Sequence, residues 1–175
     1  MIWFFYGKNN QLRVTDGSPG QATKRSVVSP KILTPEMTIK NNDLVLLAEL
    51  FEWQQDVLNI SVNAVTKTRD KTLKKLQTDI IKSTAVDLRE TSELIRRFDS
   101  EYKIKPYVYL ANALTDAVSD EHYINLILQC YKKMDELFVK SNGVKLQDET
   151  KKLLYAVDER LTENEHLLLK MAAKK

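Results

Sequence analysis

The chain has 175 residues, 43% hydrophobic and 29% charged, with a formal net charge of +3. That balance argues against wholesale disorder and lets a single domain bury a sizeable core. Lys and Arg are interleaved with Asp and Glu, which argues against the one-signed patch of a nucleic-acid binder. With only four Gly and four Pro, long helices are favoured over turn-rich β architectures.

No apolar run approaches the roughly 20 residues that span a bilayer, so no membrane span is expected. The opening Met1-Ile2-Trp3-Phe4-Phe5-Tyr6 is too short for a signal-peptide core and has no basic run before it, so the chain reads as unexported and cytoplasmic. Cys130 is alone and has no partner for an intramolecular disulfide.

Residues 1–40 form a separate arm in this reading. They hold Gly17, Gly20, Pro19, Pro30 and Pro35, and a hairpin is predicted around Gly7-Lys8-Asn9-Asn10. Trp3, Phe4, Phe5 and Tyr6 are costly to leave in water, which favours an arm that docks on its own bundle or on a neighbour.

Residues 41–175 read as an antiparallel four-helix bundle. The first helix is expected from Asp43 to Val65, with Leu46, Leu50, Trp53, Val57, Ile60 and Ala64 recurring at steps of four and three. Leu44, Leu47, Phe51, Leu58 and Val62 widen that face, and Glu49, Glu52, Asp56, Asn59 and Asn63 fall opposite it. The second helix is expected from Asp70 to Phe98. After a long link containing Pro106 and the apolar stretch Tyr107 to Leu114, a third runs from Ser119 to Lys140. Ser119 suits its N-cap and Asp120 and Glu121 its first turn. Asn142-Gly143 ends it, and a fourth runs from Gln147 to Ala172, with Leu153, Val157, Leu161, Leu167, Leu168 and Met171 inward.

No complete catalytic or cofactor motif is present, so the chain reads as a non-enzyme without a cofactor. Glu163-Asn164-Glu165-His166 matches the Glu-x-x-His of di-iron bundles, but Glu90-Thr91-Ser92-Glu93 on the second helix lacks the His. A metal at Glu163 and His166 is therefore a minor reading. The only other histidine, His122, lies off its helix seam, and Cys130 sits on a seam among Ile127, Met134 and Leu137, where cysteine is inert packing.

Helical projection places some polar residues inside apolar faces: Thr84, Asp87 and Thr91 on the second helix, Tyr123 and Tyr131 on the third, Arg160 and Asn164 on the fourth. An inward carboxylate and an inward guanidinium each need a partner. An Asp87–Arg160 ion pair is expected, with Asn164 and a tyrosine hydroxyl nearby. It either fixes helix register or forms a small polar pocket for a ligand.

Three stretches carry a family resemblance: Asn42-Asp43-Leu44 with Ala48-Glu49, Ser119-Asp120-Glu121-His122-Tyr123, and His166-Leu167-Leu168-Leu169. Over residues 42–172 the layout resembles a family of uncharacterised bacterial ferritin-like proteins, a domain of unknown function often found in exported or stress-related proteins. The resemblance implies a ferritin-like bundle. That family shows an Asp-His on its second helix and a further His about eight residues after the Tyr of its third. Here Lys82-Ser83-Thr84 and Tyr131 stand at those places, so only His166 remains and the metal site is expected to be lost. The functional expectation is a non-catalytic bundle that works through a protein partner or self-association, as part of a larger assembly. The alternative is a ferritin-like metal- or small-ligand-binding protein.

Overall fold

The computed structural model describes residues 35–103 and 119–173. Within them the fold is all-helical, a helical bundle of four helices: α1 (Pro35–Lys67), α2 (Lys71–Phe98), α3 (Asp120–Ser141) and α4 (Asp148–Ala172). The expected hairpin, the aromatic residues Trp3 to Tyr6 and the apolar part of the α2–α3 link lie outside the described residues.

The helix starts follow cap chemistry. Asp70 accepts from the N–H groups of Thr72 at 2.8 Å and Leu73 at 3.0 Å, satisfying two donors that an isolated helix start leaves unpaired. Ser119 does the same for His122 at 3.2 Å. The observed bounds of α2, α3 and α4 lie within a residue of expectation. α1 differs: it opens at Pro35, eight residues before the expected Asp43, so residues 35–40 of the expected arm are helical. Proline suits the first turn of a helix, where its missing N–H costs nothing. The sequence reading began α1 only where its hydrophobic seam begins.

α1 packs against α2 and α3, and α4 packs against the same two. The larger core cluster draws on all four helices, through residues such as Leu50, Ile80, Ile127 and Leu161. A smaller one, Leu47, Phe51, Leu94, Ile95 and Phe98, joins α1 to α2. Tyr123, in the first turn of α3, reaches Asn63 near the end of α1, while Lys140 near the end of α3 lies 3.8 Å from Glu49.

Being covered on two sides changes the expected faces of α1. Asp56, expected to face outward, is buried, and so are Asp43 and Gln54. The reason is geometric: a helix packed against two neighbours has no single polar back. Leu47, Leu50, Gln54, Val57, Ser61 and Ala64, at steps of three and four, are all buried. Conversely Val62 and Leu167, expected inward, are 46% and 39% exposed. No described helix is long and apolar enough to cross a membrane.

Candidate functional site

Asp87 projects from α2 into the space between α2 and α4 and is 7% exposed. Arg160 of α4 meets it, Nη2 to Oδ1 at 2.5 Å. The contact is a close ion pair, and Arg160 is the partner that opposes the effect of burial on this carboxyl. The same Nη2 donates a well-formed hydrogen bond to Glu90 Oε2 at 3.2 Å. One guanidinium nitrogen therefore serves two carboxylates one turn apart on α2.

Burial is the largest influence on Asp87. Loss of water pushes its carboxyl up to about 6, with Arg160 opposing the rise and Glu90 adding to it. The Arg160 side chain is 33% exposed, so the cation keeps some of its hydration. The pair is half-buried rather than sealed.

Beside this pair the other inward polar residues are distributed unevenly. Asn164 Nδ2 donates to Ser83 Oγ at 3.3 Å, a second polar link between α2 and α4 one turn further along. Tyr131 of α3 is buried, and burial raises its hydroxyl above the ordinary tyrosine range while the Asn164 side chain opposes the rise. Tyr123 does not join them. It lies about two turns away on α3, where its hydroxyl donates to Asn63 Oδ1 at 3.2 Å. Of the five residues expected to cluster, four meet.

Asp87, Thr84, Tyr131 and Asn164 line a small cavity with Gln54 and Val57 of α1, Met134 of α3, and Val157 and Leu161 of α4. Its volume is about 10 Å³, which admits no organic ligand. Sequence reasoning missed two members of this layer. In sequence Glu90 stands out only through the Glu-x-x-Glu stretch that lacks a metal-binding His, although it lies three residues after Asp87, on the same side of α2. The polarity of Gln54 hides its place in the buried series of α1.

Elsewhere the candidate chemistry separates. Glu163 and His166 are both exposed, and no three His, Cys, Asp or Glu among the described residues could hold a metal ion. Cys130 is fully buried, and burial with the nearby Asp56 charge pushes its thiol up to about 12. At the other end of the α3–α4 pair, a groove of about 690 Å³ runs past the turn between the helices. Its apolar lining is Ile39, Phe138, Val144, Leu146, Leu154 and Tyr155, rimmed by Lys145, Lys151 and Asp158. Tyr155 is 72% exposed there.

Comparison with protein-family models, with curated proteins and with solved structures finds no significant match.

Proposed function

We propose that this is a non-catalytic, antiparallel bundle of ferritin-like arrangement that acts through protein–protein contacts, with the groove at the α3–α4 turn as its contact surface. The registers support the arrangement. Along α1 and α3, residue numbers rise in opposite senses, from Asn63 with Tyr123 to Glu49 with Lys140. The same holds between α2 and α4, from Ser83 with Asn164 to Glu90 with Arg160. The short links at 68–70 and 142–147 make hairpins of the other two neighbouring pairs. α2 and α3 then run the same way, as in ferritin-like bundles with one crossover connection.

The contact reading rests on one observation, the open groove of mixed apolar and polar lining with a largely exposed tyrosine beside it. Tyrosine exposed beside a concavity that mixes apolar and polar side chains is the type of anchor that protein partners use. The aromatic arm, Trp3 to Tyr6, is proposed as a second contact element on its composition alone.

The test is a Tyr155→Ser, Val144→Ser double variant of the full chain. Wild-type protein is expected to associate, with itself by light scattering or with a captured partner. The variant is expected to lose that association with its helical circular dichroism intact. Association unchanged in the variant sinks this surface. The alternative reading, a ferritin-like metal or small-ligand protein that uses Glu163 and His166 or the Asp87 layer, is tested by metal analysis of freshly purified protein. A stoichiometric transition metal would establish it.

A further inference from the structure

Gln54 is 1% exposed, and neither its Nε2 nor its Oε1 has a hydrogen-bond partner among the described residues. An amide buried in this state is expensive, and native structures rarely leave one unresolved. Gln54 lines the mid-bundle cavity, and so does Asp87, a carboxylate that is paired with Arg160 and has capacity to accept a further hydrogen bond. Thr84, Tyr131 and Asn164 add two hydroxyls and a second amide to the same walls.

Size and lining together select the occupant. A cavity of about 10 Å³ matches one water, whose 1.4 Å sphere fills about 11 Å³. Cavities lined by hydrocarbon stay dry, whereas a buried water is held where two to four polar groups converge. We propose that the four helices enclose a site for one long-lived water molecule, held by Gln54 of α1 and Asp87 of α2 and completed by Tyr131 of α3 and Asn164 of α4. The water donates to Gln54 Oε1 and to Asp87 Oδ1, and accepts from the Tyr131 hydroxyl and from the Asn164 amide. A monovalent cation suits the oxygens less well, because the Arg160 guanidinium already supplies the positive charge beside Asp87.

The site joins all four helices through one molecule, which no direct side-chain contact in the layer does. It is independent of the surface groove, so either can fail without the other.

The experiment uses the full chain in solution. Oxygen-17 water relaxation dispersion is expected to show a slowly exchanging water that Gln54→Met removes, the amplitude falling by one molecule at unchanged helical circular dichroism. In the wild type, the Gln54 side-chain amide protons are expected to show a direct Overhauser contact to water of the sign that marks long residence. That second measurement decides the matter if Gln54→Met fails to fold. An amplitude unchanged by Gln54→Met, or no water contact at the Gln54 amide, overturns the proposal. Stabilisation by sodium or potassium over choline at equal ionic strength, with no such contact, overturns it in favour of a cation site.

Discussion

The Asp43 carboxylate of α1 accepts a hydrogen bond from the backbone N–H of Gln147 at the head of α4, 3.1 Å from N to Oδ1, across 104 residues of chain. Gln147 caps α4 without a side-chain bond of its own. Asp43, fully buried, supplies from another helix both an acceptor and a negative charge for the positive end of the α4 dipole. Asp43→Ala is therefore expected to cost about 1–3 kcal/mol in urea unfolding and to speed amide exchange in the first turn of α4. Asp43→Asn keeps the acceptor and is expected to recover about half of the loss. A change below about 0.5 kcal/mol for the alanine variant would show that the contact carries no weight.

The pH dependence of stability follows from Asp87. Its folded-state carboxyl sits at about 6 against an ordinary 3.8, so the folded protein holds the proton more tightly than the unfolded chain does. The associated stability is fully present below pH 3.8 and is lost as the pH rises through 6. A rise of about two pH units, at about 1.4 kcal/mol per unit, amounts to about 3 kcal/mol. Asp87→Asn removes the titration. Its stability relative to wild type is expected to improve by up to that amount between pH 4 and pH 7.5. Parallel stability curves for the two proteins across that range would refute the assignment.

Arg160 is expected to matter in the same window. Arg160→Met leaves Asp87 and Glu90 without their shared cation, and the loss at pH 7 is expected to be about 1–3 kcal/mol, reduced from a sealed pair by the exposure of the guanidinium. At pH 4, where Asp87 is protonated, the loss should shrink. The double replacement Asp87→Leu with Arg160→Met is expected to fold with a stability within about 1 kcal/mol of wild type, or above it. A double-mutant cycle with near-zero coupling would mean that the two side chains do not act as a pair.

Cys130 offers a probe of opening. With its thiol buried and raised to about 12, native protein at pH 8 is expected to react with a disulfide reagent about a thousandfold more slowly than an ordinary cysteine. Unfolded protein should react at the ordinary rate. Fast labelling of native protein would place the thiol at the surface.

The helices were legible because apolar spacing and cap residues are local signals. Asp70 and Ser119 sit where cap chemistry requires them. The Asp87–Arg160 contact was legible for a related reason: each side chain interrupts an otherwise apolar face, and opposite charges at matched depth imply one another. What stayed hidden depends on the neighbours of each helix. Asp56 faces away from the α1 seam, and only the packing of α3 makes that side interior. Asp43 and Gln147 are ordinary residues until the fold brings them together. Gln54 was masked by its own chemistry, since a pattern of hydrophobic residues omits a polar one at the same spacing. Residues 1–34 of the arm and the apolar part of the α2–α3 link lie outside the described residues.

The early start of α1 has a thermodynamic consequence. Eight residues precede Asp43, about 12 Å of helix, and Glu36 to Asn42 include no buried side chain. Helix of that kind opens at little cost, through fraying rather than global unfolding. Ile39 in that stretch forms one wall of the groove at the α3–α4 turn. Anything that binds the groove must therefore hold this wall closed, and part of its binding free energy goes into suppressing the fraying. Slower amide exchange at residues 36–42 would then report occupancy of the groove, even for a ligand whose own signals are invisible.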